Sequence, residues 1–287
     1  MATCEVCFRH CDLAEGQTGF CGARVCKGGT VLPSNYGLLT ALALDPIEKK
    51  PLRRFRPGEM ILSVGSYGCN LRCPFCQNNS ISWSADALKI APRRARQISP
   101  QQLCELAASY QEQGNMGVAF TYNEPLIGYE FVRDTARLVH EAGMVNVMVT
   151  NGTAELAVLE ELAGYIDAMN IDLKGFTDHY YREVLGGSRD MVLRFIERAV
   201  CVSHVELTTL IVPGENDAEE EMREMSRWIA SLRDADGKLI GPEIPLHVSR
   251  FFPQFHMTDR PPTDVSQVYR LADIARENLQ HVYTGNC

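Results

Sequence analysis

The chain has 287 residues, 45% of them hydrophobic and 22% charged, with 28 basic against 36 acidic side chains and a formal net charge of −8. These ordinary globular values exclude a disordered or fibrous chain, and the acidic balance excludes general attraction to phosphate backbones, so no nucleic acid is expected as a partner. Neither a secretory signal nor a run long enough to span a membrane is present, so a cytoplasmic protein without membrane association is expected, in which eleven cysteines speak for metal or redox chemistry rather than disulfides.

Residues 1–30 are rich in Cys and Gly and show no sustained period, so they cannot bury a core without a metal or a docking surface. They read as a metal-binding appendage to a main domain over 31–287. Cys4, Cys7, Cys11 and Cys21 offer four thiolates, which suits a closed site: tetrahedral zinc or a complete auxiliary iron–sulfur cluster, with His10 and Cys26 as spare ligands and free thiols as the plain alternative. The apolar run 38–44 and the turn at Asp45-Pro46 predict a short β segment leading into the main domain. Two basic clusters, Arg53-Arg54-Phe55-Arg56 and Arg93-Arg94-Ala95-Arg96, read as solvated loops, with a hold on a phosphate-bearing ligand as the alternative.

From residue 60 onward, β-like runs at 61–64, 117–121, 145–150, 166–173, 205–212 and 245–249 alternate with helical periods at 100–113, 126–142, 154–163, 190–202 and 218–232. A closing helix is predicted at 264–278. The first helix carries its own start signal: Ser99 as N-cap, Pro100 at the first helical position and Gln102 completing a capping box. Such alternation without a dinucleotide fingerprint predicts an α/β fold, a partial (β/α)6 TIM-like barrel. Six strands are fewer than a closed barrel's eight, so a lateral opening is expected unless the appendage or the closing helix covers it. The acidic run 219–221 opens a helix, where negative charge suits the dipole, and Cys104, Cys201 and Cys287 read as bystander thiols.

After the first barrel strand, Ser66-Tyr-Gly-Cys-Asn-Leu-Arg-Cys-Pro-Phe-Cys places cysteines at 69, 73 and 76. A cubane cluster needs one protein ligand per iron, so three local thiolates leave one iron open, and the loop falls at the strand C-termini where barrel enzymes place their chemistry. Phe75 can lie against a bound aromatic ring. The alternative is a zinc knuckle that borrows a fourth ligand such as His10 or Cys104.

The C-x3-C-x2-C spacing, with an aromatic residue before the last Cys, resembles the signature of the radical SAM superfamily. The resemblance implies a 4Fe-4S cluster on Cys69, Cys73 and Cys76 whose open iron is chelated by S-adenosylmethionine. An external one-electron reductant such as flavodoxin or ferredoxin would drive cleavage to a 5′-deoxyadenosyl radical that abstracts hydrogen from a substrate. It extends over roughly residues 30–287. Phe120-Thr-Tyr-Asn-Glu-Pro125 stands where the superfamily has Gly-Gly-Glu-Pro, which implies methionine contacts from Glu124 and its neighbours Tyr122 and Asn123. Thr150, Asn151 and Gly152 resemble the Asp-Thr-Asn-Gly of glycyl-radical-enzyme activases, with Val149 in place of the Asp. Asp172 and Lys174 resemble the activases' Asp-Leu-Lys segment, Thr208 stands on a similar strand, and Phe75, Gln77, His247 and Arg250 complete the implied cofactor-binding set. Singly, each has a plainer reading as cap, solvated residue or core histidine.

Finer details, among them Asp45-Pro-Ile-Glu-Lys-Lys-Pro51 and Val282-Tyr-Thr-Gly-Asn286, resemble the AmmeMemoRadiSam-system radical SAM group, which is described as pyruvate formate-lyase activase-like. The function so implied is an activase-like oxidoreductase that takes hydrogen from a protein or a small molecule. The alternative from another class is a non-catalytic iron–sulfur or zinc scaffold.

Overall fold

The computed structural model describes residues 1–287. Eight strands make one sheet whose spatial order follows the chain: β1 (Ala41–Pro46), β2 (Met60–Gly65), β3 (Asn115–Phe120), β4 (Val145–Thr150), β5 (Ala168–Asp172), β6 (His204–Ile211), β7 (Leu246–Arg250) and β8 (Val282–Gly285). β1 is antiparallel to β2, and every other pair is parallel. The six strands expected from the sequence are β2 to β7, and the partial-barrel class holds. β1 and β8 extend the sheet at its two edges, and no ladder joins them, so the wall stays open.

Helix α1 (Ala85–Arg94) packs through Ala91 with Cys21, Ala23, Tyr67 and Ile127, while six others cover the outer face: α2 (Pro100–Ser109), α3 (Tyr129–Glu141), α4 (Leu156–Leu162), α5 (Arg189–Ala199), α6 (Glu219–Ala230) and α7 (Val265–Arg276). The capping box forms as written: Ser99 Oγ accepts from Gln102 N at 3.1 Å, and Gln102 Oε1 accepts from Ser99 N at 2.9 Å. The basic cluster 93–96 is not wholly a loop, because Arg93 and Arg94 form the last turn of α1. That helix was hidden by Pro92 and by a weak apolar stripe in which Ile90 is exposed.

Strand alternation sorts side chains into two cores. Outward residues such as Met148, Met169, Ile171 and Leu207 join Val192, Phe195 and Ile196 of α5 in the large sheet–helix core. Inward residues Ile61, Ala119, Val145, Val147 and Ala168 form a second, smaller cluster with Ile47 and Leu52. The segment after β1 therefore plugs the barrel interior at the strand N-termini. Glu206, fully buried on β6, fixes that plug by accepting Arg53 N at 2.9 Å and Arg54 N at 2.7 Å, while Asn170 Nδ2 donates to Pro51 O at 2.8 Å. A register shift between β2 and β3 is held by Asn115, whose Oδ1 accepts from Leu62 N at 2.8 Å.

Candidate active site at the strand C-termini

With the strand N-termini plugged, the free space lies at the other end: a cavity of about 620 Å³, the size of a small-molecule site. Cys69, Cys73 and Cys76 line it, and all three are free thiols. Burial pushes Cys69 well above an ordinary thiol and Cys73 up to about 11, although Lys174 acts to lower the latter. Such thiols gain from ionisation only when a metal takes the thiolate. Donors already surround the sulfurs: Leu71 N lies 3.4 Å and Asn151 Nδ2 3.7 Å from Cys69 Sγ, and Ser82 Oγ lies 3.2 Å from Cys76 Sγ. No three Cys, His, Asp or Glu side chains gather as ligands of a single ion here or elsewhere. Three free thiols on one loop, all lining one cavity, are the donor chemistry of an iron–sulfur cluster, so the donor set fits the group that the motif implies.

The loop is held by close packing. Gly68 has φ +91, and a Cβ there would stand 2.7 Å from Cys21 O and 2.9 Å from Ala23 Cβ. Phe75 is buried, meets Phe251 edge-on at 6.1 Å, and its carbonyl accepts from Gln254 Nε2 at 2.7 Å.

Beside the thiols, Glu124 is 3% exposed and accepts three donors: Thr150 Oγ1 at 2.6 Å, Asn151 N at 2.8 Å and Leu126 N at 3.0 Å. Burial still pushes its carboxyl up to about 7, against those hydrogen bonds and helped by the charge of Asp172. A buried carboxylate so placed has room for a cationic partner. Tyr122 and Asn123 stand where the resemblance places glycines. Tyr122 takes φ +73, opposite Gly65, where a Cβ would stand 2.9 Å from the Tyr122 side chain. Its hydroxyl donates to Asp45 at 3.1 Å, and Lys50 Nζ lies 4.9 Å from its ring centre and 3.0 Å from Asp45. Burial acts to raise Asp45, but Lys50 and Lys49 hold it down at about 2. Asn123 ties the two loops: its Oδ1 accepts from Ser66 N at 2.8 Å and its amide donates to Tyr67 O and Gly68 O.

Across the cavity, Lys174 Nζ meets Asp172 at 2.8 Å; burial acts to lower the lysine, but Asp172 and Cys73 keep it a firm cation. His247 shares Glu206 with His204, its Nε2 lying 2.7 Å from the carboxylate and its ring 5.3 Å from Tyr283. Although burial acts to raise Glu206, the two histidines and the two plug amides hold it at about 2.

Of the expected cofactor-binding residues, Phe75, Gln77, Tyr122, Asn123, Glu124, Thr150, Asn151, Asp172, Lys174, Thr208 and His247 line this one cavity. Gly152 and Arg250 do not: a Cβ on Gly152 would meet Ile171 of the outer core, and the Arg250 guanidinium donates to Thr263 O at 2.7 Å and lies over Phe252. Val149, where activases have Asp, lines the wall as an apolar residue. The sequence reading missed Glu48, Lys49 and Arg53 of the plug segment and Tyr283 to Asn286 at the β8 edge, which line the cavity as well. Residues 45–51 and 282–286 had drawn notice only as family detail, and Arg53 as part of a basic cluster read as a solvated loop.

Residues 63–226 match the family profile described as the Radical SAM superfamily. An uncharacterized protein of Methanocaldococcus jannaschii is 39% identical over 99% of this chain and 80% of its own length. Pyruvate formate-lyase 1-activating enzyme of Escherichia coli K12 is 23% identical over 59% of this chain and 68% of that one. Among solved structures, SuiB of Streptococcus suis bound to S-adenosylmethionine superposes with a TM-score of 0.56 at 15% identity, covering 77% of this chain and 48% of that one, a likeness of fold.

Proposed function

The chain belongs to the radical SAM superfamily, and on that premise we propose that Cys69, Cys73 and Cys76 hold a 4Fe-4S cluster and that the cavity beside them binds S-adenosylmethionine for hydrogen abstraction from a substrate. The observation that carries this reading is convergence: three thiols, a buried carboxylate and a half-buried lysine from three strand ends face one space. When bound, the cluster and S-adenosylmethionine supply one-electron cleavage of the sulfonium to methionine and a 5′-deoxyadenosyl radical.

The chain's own part is to bind and to exclude. Glu124 would take the methionine ammonium, with Thr150 and Asn151 fixing the carboxylate, and Lys174 the methionine carboxylate or a ribose oxygen. Phe75 and the Tyr283 ring offer apolar faces for the adenine. The plug fixed by Glu206 closes the barrel's lower end to water. Substrate would then enter between the unjoined edges β1 and β8, past Asn286. A protein loop or a small molecule could use that gap, so the function is activase-like in architecture with either substrate class open.

The test is anaerobic reconstitution with iron and sulfide followed by dithionite and S-adenosylmethionine. Release of 5′-deoxyadenosine and methionine is expected, and its absence from protein with a full iron complement would favour the non-catalytic scaffold. Substrate follows from isotope transfer into 5′-deoxyadenosine.

A further inference from the structure

Cys4, Cys7, Cys11 and Cys21 neither line the cavity nor gather as ligands about one ion. What the N-terminal segment brings to the Cys69 loop is a guanidinium and an aromatic ring, placed outside the cavity. Arg9 and Arg72 clasp the Phe20 ring, their guanidinium carbons lying 3.3 and 3.7 Å from its centre. Arg72 also lies 5.4 Å from the centre of the Trp83 ring, which meets Phe255 edge-on at 4.9 Å, and the Phe255 ring lies 3.8 Å from that of His256. These six side chains form one strip, and none of them lines the cavity. Phe20 is 39% exposed, and His256 is exposed at the other end.

The strip is seated on the backbone of the cysteine loop. The Arg72 guanidinium donates to Cys69 O and Leu71 O, each at 2.8 Å, and to Phe20 O, while Arg9 Nε donates to Asn70 O at 3.0 Å. From the far end, His256 N donates to Pro74 O at 2.8 Å and Gln254 Nε2 to Phe75 O at 2.7 Å. Residues 254–257 make a tight turn closed by reciprocal backbone bonds, Gln254 N to Met257 O at 3.1 Å and Met257 N to Gln254 O at 3.0 Å, with Phe255 at φ +56. A phenylalanine in that left-handed region carries a backbone cost that packing must offset, and the turn so held sets two rings onto Trp83 beside the loop. The two arginines are cations without a counter-charge, since their side-chain hydrogen bonds all go to backbone carbonyls. The chain as a whole carries −8.

We infer that this strip is the docking surface for an acidic one-electron carrier protein that reduces the cluster of the Cys69 loop. Charge selects the occupant: a locally cationic strip on an acidic chain steers a negative partner to this face and away from the rest of the surface. Composition agrees, because arginine and tryptophan with exposed aromatic rings are the side chains that anchor protein interfaces. Position supplies the reason. The cavity is taken by S-adenosylmethionine and substrate, so a carrier must approach the loop from outside it, and electron transfer weakens steeply with distance. The strip is bonded to the loop at Cys69, Leu71, Pro74 and Phe75, on both sides of Cys73. The step balances as a one-electron transfer: the carrier loses one electron, the cluster gains it, and no bond forms or breaks in this chain.

The inference rests on the proposed function for its electron acceptor, and the test separates the two. Calorimetry of the reconstituted protein with flavodoxin and with ferredoxin should show binding of at least one carrier, weakening as salt is raised. Phe20→Asp, which sets a carboxylate between the two arginines, and His256→Glu should each raise that Kd about tenfold or more, whereas Tyr269→Asp, at an exposed aromatic on α7, should leave it within about twofold. Formation of 5′-deoxyadenosine should fall in step when the reduced carrier is the donor and hold within about twofold when dithionite is. No binding of either carrier, a Kd indifferent to both substitutions or to salt, or an equal loss with both donors overturns the docking surface. A concentration-dependent dimer that Phe20→Asp dissolves would assign the strip to a second copy of this chain and overturn it as well. Should Phe20→Asp not fold, His256→Glu decides, because the side chain there is exposed and the residue's hydrogen bond to the loop is made by its backbone. Salt-sensitive binding lost in both variants, with no 5′-deoxyadenosine from either donor in the wild type, would instead strike the proposed function and leave the docking surface standing.

Discussion

Glu124→Gln separates the binding role of this carboxylate from its role in the fold. In the ligand-free protein, burial lifts Glu124 from an ordinary 4.5 to about 7. The folded chain therefore favours the neutral form. Its contribution to stability is complete below pH 4.5 and is lost as pH rises through 7, to a limit of about 3 kcal/mol. Glutamine removes the titration but cannot accept from Asn151 N and from Leu126 N and Thr150 together, so one buried donor loses its partner, at about 1 to 3 kcal/mol. Urea unfolding of cluster-free protein should then show the variant destabilised by about that amount at pH 5 and near wild type at pH 8. Binding runs the other way. An ammonium opposite Glu124 favours the ionised form, so S-adenosylmethionine should bind the cluster-loaded wild type more tightly as pH climbs from 6 to 8, with release of a proton. Glu124→Gln should lose about 1.5 to 3 kcal/mol of that affinity, roughly ten- to hundredfold in Kd, most of it at the higher pH. Calorimetry in two buffers of different ionisation heat reads both Kd and proton. A Kd unchanged by the substitution, or a loss independent of pH, would refute the assignment.

Glu206→Gln should cost about 3 kcal/mol at neutral pH, since it takes the acceptor from one plug amide and one histidine and removes the charge both histidines share; the wild-type benefit is present above pH 4.5 and lost as pH falls through about 2. Equal denaturation midpoints at pH 7 would show that the plug is held otherwise. At Tyr122, with φ +73, Gly should be tolerated to within about 1 kcal/mol, whereas Val should cost about 2 kcal/mol or more and weaken S-adenosylmethionine binding. Indistinguishable melting of the two variants would contradict that backbone. Mixed with pyruvate formate-lyase, the enzyme should yield no glycyl radical even while cleaving S-adenosylmethionine, because Val149 and Tyr122-Asn123 depart from the activase pattern at the cavity rim. A stoichiometric glycyl doublet would show that those departures leave activase chemistry intact.

Legibility in the sequence followed the range of the interaction. The Ser99 capping box, the six inner strands and the acid opening α6 are local signals, and each formed as read. The cysteine loop was legible because its spacing is itself the ligand geometry. Strand-end residues could be collected because a parallel barrel delivers them to one rim. The plug was not legible, since Glu206 meets the backbone of Arg53 and Arg54 some 150 positions away and a lone acid within an apolar strand has no periodic signature. β8 is only four residues long and ends at Gly285. Glu221 was explained by the helix dipole alone, yet it is buried and accepts Phe176 N at 2.6 Å, a contact set by tertiary packing. Gly152 and Arg250 stood in the right segments but lie off the cavity: Gly152 sits in the loop beyond β4 against Ile171, and Arg250 follows Ser249 on β7 and so leaves on the opposite side of the sheet toward Thr263.

The central claim is that three cysteines leave one iron open for S-adenosylmethionine. Its most direct test is electron–nuclear double resonance on the reduced, reconstituted protein with S-adenosylmethionine labelled at the methionine amino nitrogen and carboxylate oxygen. Hyperfine coupling of both labels to the cluster is expected, and it should vanish in Cys73→Ala. A reduced cluster signal without coupling to either label, at saturating ligand, would contradict it.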